Sequence, residues 1–95
     1  MSIASEADSK YWLEDASAAA ENMLLAITAL GYASCWVEGT LLRQEDWAKQ
    51  ELGVPADKRL VILLPLGKEA SPAGGKEKKP LAGLVHYERY GSRRG

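Results

Sequence analysis

A helix with almost no polar side constrains this chain more than any other feature. Residues 15–39 read DASAAAENMLLAITALGYASCWVEG. Ala16, Ala20, Met23, Ile27 and Leu30 recur at alternating spacings of four and three, which places them on one helical face. Ala19, Leu24, Ala26 and Ala29 fill much of the remaining circumference. A helix apolar nearly all round is one that is buried nearly all round. That demand is hard to meet in a chain of 95 residues, which makes one domain at most and buries a modest core unless a partner helps. The expectation is a chain that does not persist as a folded monomer, since an apolar stripe of this size marks an interface.

The flanking residues give the helix its ends. Asp15 stands where an N-cap belongs, because its carboxylate suits the free amides and positive pole of a first turn. Gly31 is the natural left-handed C′ residue. Residues 32–37 are aromatic and small and read as a short strand, broken by Gly39. Thr40 is the expected cap of a second helix over residues 41–52, with Leu41, Ala48 and Leu52 on one face and Arg43, Gln44, Asp46, Lys49 and Gln50 in water. Gly53, Val54 and Pro55 end it. The run LVILLPL at residues 60–66 reads as a strand covered on both faces, with Pro65 marking a sheet edge or the end of pairing. Residues 68–80 form a loop of Gly, Pro and charge, after which Leu81, Leu84, Val85, Tyr87 and Tyr90 suggest a docking tail. The expected division is a polar lead-in at 1–14, whose Tyr11 and Trp12 dock on the helix, a folded unit at 15–90 and a loose end at 91–95.

Charge and cysteine content exclude several classes. A net charge of −1 gives no reason to expect nucleic acid or an acidic membrane surface. Lys76, Lys78, Lys79, Arg89, Arg93 and Arg94 are numerous but come without a recognised binding module. The single Cys35 rules out an internal disulfide framework and suits a reducing cytosol. The N-terminal segment has acidic residues and no apolar core of a signal peptide, and the apolar runs are too short to span a bilayer. These features together predict a cytoplasmic protein without membrane or nucleic-acid partners. One Cys and one His make a poor zinc set, so no metal site is expected. Cys35 and His86 could act as nucleophile and base only if the fold brought them together.

The apolar helix, the CWVEG that follows it, LLPLG at residues 63–67 and KEKKPL at residues 76–81 resemble, in this order and spacing, the C-terminal half of a nitroreductase-family flavoprotein. The resemblance covers about residues 15–90. It implies an α+β fold, here a partial nitroreductase-like one made of a long buried helix, a short strand, a second helix, a buried strand and an extended tail. It implies homodimers that hold FMN at the subunit interface and pass hydride equivalents from NAD(P)H to nitro compounds, quinones or similar small acceptors. Family members also carry an arginine-rich N-terminal segment that grips the phosphate and ribityl chain. This sequence has no counterpart of it, so the chain is expected to need a second copy or a complementary nitroreductase-like chain, and to be inactive alone.

The same resemblance assigns roles to residues. Trp36 and Val37 would form part of a wall, and the main chain at Glu38 and Gly39 would meet the isoalloxazine edge. A reduced flavin carries negative charge towards N1 and O2, which backbone N–H groups can meet without blocking the ring; Gly39 allows the main chain to come close. Read by itself, without the surrounding pattern, VEG favours a strand end followed by a helix cap. Lys76 and Lys78 match two basic positions that reach the FMN phosphate, and their alternate spacing in an extended loop can turn both ammonium groups to one side. A solvated charge run explains them as well. Two further readings remain: a non-catalytic truncated relative that serves as a dimerisation or binding partner, and a small anion-binding module built on residues 76–79.

Overall fold

The computed structural model describes residues 1–72 and 74–94. Gly95, the end of the expected loose tail, and Ala73, in the loop, lie outside the described residues. The element order is β1 (Ser2–Glu6), α1 (Trp12–Ala29), α2 (Gly39–Arg43), α3 (Glu45–Leu52), β2 (Lys58–Leu63) and a single 3-10 turn at Leu81–Gly83. It is a mixed helix and strand arrangement around a small antiparallel sheet of β1 and β2.

The core is β2 and what lies on either side of it. Leu60, Val61, Ile62 and Leu64 are fully buried, as expected for a strand covered on both faces. Ile3 opposes Ile62 and Ala4 opposes Leu60, so Val61 is an extra residue in the ladder. Such a bulge lets consecutive side chains share a face, and Val61 and Ile62 both pack with Ala16, Ala20 and Ile27 of α1. Leu60 packs on the other side, against Leu41 and Ala48. Two small cores thus share one strand.

The N-terminal stretch is more than a lead-in. Only Ile3 of β1 is buried, so its own side chains give little reason to be a strand. The partner strand's exposed main chain does: a buried strand needs its N–H and C=O groups paired. The pairing extends past β1 through reciprocal bonds between Met1 and Leu64. Trp12 does pack on the core, whereas Tyr11 stays 53% exposed.

α1 begins three residues before the expected cap. Tyr11 occupies the N-cap position without a side-chain bond, and Asp15 lies inside the first turn beside Glu14. Ser5 Oγ donates to Trp12 O, which ties the early turn to β1. The C-terminal end follows expectation: Gly31 has φ +83°, its N–H bonds to Thr28 O, and Tyr32 N–H bonds to Ile27 O, the pairing of a Schellman cap. Burial all round is corrected. Ala16, Ala20 and Ile27 are buried, but Leu25 and Leu30 are 62% and 74% exposed. A sheet of two strands covers one side of a helix and leaves nothing for the other.

Residues 32–37 do not form a regular strand. Ala33 exchanges both main-chain bonds with Gly67, and Val37 does so with Leu63. In this antiparallel register the intervening bonded pair would be Cys35 with Pro65, and proline has no N–H to give. The ladder is therefore interrupted at its middle rung, and the expected end of pairing at Pro65 is corrected to a gap beyond which pairing resumes at Gly67.

The second helix is also divided. Gln44, at φ −125° and ψ 31°, separates α2 from α3, so Thr40 is an interior residue and not a cap. The break frees Glu45, whose carboxylate accepts from the Arg59 guanidinium at 3.0 Å and from Leu60 N–H at 3.1 Å. Arg59 in turn lies 3.9 Å over the Trp12 ring. Leu41 and Ala48 are buried as expected, but Leu52 is 51% exposed.

The expected docking tail does not dock. Its 3-10 turn contacts no other element, and Leu81, Leu84 and Tyr90 are 73%, 56% and 91% exposed. Residues 80–94 instead bond among themselves: Tyr87 N–H to Ser92 O, Gly91 N–H to His86 Nδ1 and Arg93 to Ala82 O. Arg94 lies over the Tyr87 ring, 4.4 Å from its centroid. The radius of gyration is 17.1 Å, against about 12 Å for a compact chain of this length. Residues 74–94 form an arm that projects from a body of residues 1–68.

Candidate functional site

The segment that leaves the interrupted ladder carries the candidate site. In extended backbone, residues two apart share a side, so Trp36 and Glu38 are neighbours. Trp36 Nε1 donates to Glu38 Oε2 at 2.9 Å. Glu38 occupies the N-cap position of α2, yet its side chain makes no capping bond, being held by the indole. Among the described residues, no hydrogen bond uses the N–H of Glu38 or Gly39. Gly39 has no left-handed φ, and a Cβ built on it would meet nothing within 4 Å. Two amide donors are therefore unused beside an indole that is 38% exposed. This donor set fits a group that gathers negative charge at one edge of a flat ring.

Val37 takes a different position. Its main chain is spent on Leu63, and its side chain lines an apolar cavity of about 180 Å³ with Thr40, Leu41, Gln44, Trp47, Ala48 and Leu63. Trp36 and Gly39 are exposed and Glu38 is half-buried, so the three form one open wall. A second cavity, about 370 Å³, lies at the ladder gap between residues 33–35 and 65–68. Ser34 Oγ is buried there without a hydrogen-bond partner. The register that exposes this gap was readable from sequence, given the pairing of residue 33 with 67.

Lys76 and Lys78 are exposed in the arm's first turns of chain. No hydrogen bond or ion pair among the described residues joins them to Trp36, Val37, Glu38 or Gly39. Cys35 and His86 are likewise apart: Cys35 is exposed at the ladder gap, while His86 stacks on Tyr90 at 4.1 Å. No group of three or more His, Cys, Asp or Glu among the described residues is arranged to hold a metal ion, and no described helix is long and apolar enough to cross a membrane.

Comparison with known proteins bears on the fold that carries these residues. No curated protein matches the chain. A solved structure from Bacteroides thetaiotaomicron, an inferred NADH dehydrogenase/NAD(P)H nitroreductase, superposes with a TM-score of 0.79 at 26% identity. The match covers 94% of this chain and 54% of that one, so the chain spans about half the length of the protein it resembles. The sequence pattern of the nitroreductase family matches residues 2–68, from β1 through the end of the interrupted ladder. With sequence and fold in agreement over most of its length, the chain belongs to the nitroreductase family.

Proposed function

We propose that this chain forms the flavin-edge part of an FMN-dependent oxidoreductase, linked to NAD(P)H and acting on nitro or quinone-type small molecules, in concert with a second chain. The observation that carries this reading is the pair of unused amides at Glu38 and Gly39 beside the Trp36 indole, in a member of the nitroreductase family. FMN, when bound, supplies hydride transfer through N5, with negative charge gathering at its pyrimidine edge. The two N–H groups would donate to that edge. The bare main chain at Gly39 would allow close approach, and Trp36, anchored on Glu38, would border the ring. Lys76 and Lys78 would pair with the phosphate as point charges, without the fork an arginine offers.

A second reading, a non-catalytic binding partner within the family, draws support from the separation of the two lysines from the amides and from the open form of the wall. A titration separates them. Lys76→Ala and Lys78→Ala should each weaken FMN by about tenfold, the size of one charge-assisted hydrogen bond, and leave riboflavin unchanged. Gly39→Val should weaken both ligands, because a branched side chain would stand between main chain and ring; the free space at Gly39 means the fold itself need not move. Both ligands are titrated against parent and variants, alone and with a complementary nitroreductase-like chain. No flavin binding in either setting favours the binding-partner reading, and loss of all phosphate binding with the lysine variants alone favours an anion-binding loop.

A further inference from the structure

The tip of the arm is closed by a bond that a proton can undo. Gly91 N–H donates to His86 Nδ1 at 2.7 Å, so the imidazole there is neutral and carries its own hydrogen on Nε2. The ring lies half-buried against the Tyr90 ring, with centroids 4.1 Å apart and planes 14° from parallel. Tyr87 N–H bonds to Ser92 O at 2.8 Å and Ser92 N–H to Arg89 O at 3.0 Å, which makes residues 86–92 one tight loop. The loop is strained as well as closed. Glu88 has φ +65°, the one left-handed residue other than glycine among the described residues, and Gly91 has φ +94°. A side chain held in that region persists only while the contacts around it outweigh its cost. The His86–Gly91 bond is the one side-chain hydrogen bond inside the loop among the described residues.

We propose that residues 86–92 are a pH-sensitive latch: neutral His86 holds the loop closed, and a proton taken up from solvent at Nδ1 releases Gly91 and lets Glu88 leave the left-handed region. An imidazolium has two N–H donors and no acceptor, so the Gly91 N–H then faces a donor where an acceptor stood. The closed loop and the doubly protonated ring exclude one another. A cationic ring also suits the face of a phenol, so the Tyr90 stack does not resist protonation. No hydrogen bond, ion pair or stacking contact among the described residues joins the loop to residues 1–68. The charged and titratable groups around the ring are therefore the arm's own: Tyr87, Glu88, Arg89, Tyr90, Arg93 and Arg94. Carboxylates, phenols and guanidinium groups ordinarily keep their charge between about pH 5 and 8, the range in which a histidine changes its own. The latch thus answers to a single proton. Its opening loosens the closure of the arm, whose two ends otherwise meet where Arg93 donates to Ala82 O. The inference stands independently of flavin, because the loop includes none of the residues assigned to it.

NMR of the isotopically labelled full chain, without flavin, tests it. At about pH 7.5 a scalar coupling across the N–H···N bond should join the Gly91 nitrogen to His86 Nδ1, and at about pH 5 it should be gone. The Gly91 amide shift should follow the imidazole titration with the same midpoint. The ratio of open to closed loop read from that shift should rise at least about tenfold between the two conditions, because the proton binds only the open form. His86→Phe keeps a ring for Tyr90 but offers no acceptor, so its Gly91 amide should hold the open position throughout. Glu88→Gly relieves the strain of the closed loop and should move the midpoint to lower pH than Glu88→Gln, which has the same charge without the backbone freedom. None of these variants touches the body, so its fold stays in place. Absence of the coupling at about pH 7.5, a Gly91 shift that follows pH equally in His86→Phe, or equal midpoints in the two Glu88 variants would overturn the proposal.

Discussion

Leu60 in β2 and Leu84 in the arm are the same side chain in opposite circumstances. The first is fully buried between two small cores, the second 56% exposed on a segment that touches no other element. The body organises itself around one strand. The arm contains aromatic stacking, cation contacts and local turns, but all within residues 80–94. The difference shows that apolar content alone does not make a core: burial needs a second surface within reach, and β2 has one on each side.

Substitution at the two leucines should sharpen this contrast most. Leu60→Ala should lower unfolding free energy by about 2–5 kcal/mol, the cost of a buried cavity, which is a large share of the stability of any small domain. Leu84→Ala should shift it by less than about 0.5 kcal/mol, as an exposed substitution does. Urea unfolding at a concentration where both proteins share one oligomeric state measures the pair; equal effects would mean that the arm is part of the body's cooperative unit.

A smaller effect is expected at the junction of α3 and β2. Glu45→Ala leaves Leu60 N–H without its acceptor and Arg59 without its partner, at a cost of about 1–3 kcal/mol. Glu45→Gln keeps an acceptor and should lose less. If the two variants unfold alike, the carboxylate's charge and not its hydrogen bonding holds the junction.

The smallest effect concerns the rim of the sheet. The side-chain hydrogen bond with Glu6 raises the Lys58 ammonium above its usual 10.5. A raised cation stabilises the fold fully below the unfolded value and loses that contribution as pH climbs through the folded one. The parent should therefore lose stability on the alkaline side of pH 10.5 more steeply than Lys58→Met does, in thermal melts followed across that range. Arm cations such as Lys79, which pair with nothing in the body, should leave the slope unchanged when neutralised.

Much of the body was legible from local pattern. The spacing of Ala16, Ala20 and Ile27 marked the inward face of α1, the run at residues 60–66 marked a strand covered on both sides, and Gly31 and Gly53 stand at helix ends with φ +83° and +70°. Misreadings occurred where a distant group supplied the reason. β1 forms because β2 needs a neighbour, although Ile3 alone of its side chains is buried. The break at Gln44 accompanies a carboxylate drawn to Arg59 and Leu60, fourteen and fifteen residues later. Of the candidate residues, Trp36 and Glu38 are hydrogen-bonded and Gly39 follows them in the chain, while no hydrogen bond or ion pair among the described residues joins Lys76 and Lys78 to them.

The sequence by itself determined the helices' inward faces, the caps that need glycine and the identity of the buried strand, because each depends on the periodicity or backbone freedom of neighbouring residues. It determined as well that residue 65 has no N–H to offer any ladder, since proline lacks one in every fold. Only the tertiary structure decided that the strand after α1 is two separate bridges, that Glu38 is held by Trp36 instead of capping α2, and that one side of α1 and the whole arm remain uncovered. Those outcomes depend on which surfaces come within contact distance, and apolar residues report only that they gain by burial, not what will be there to bury them.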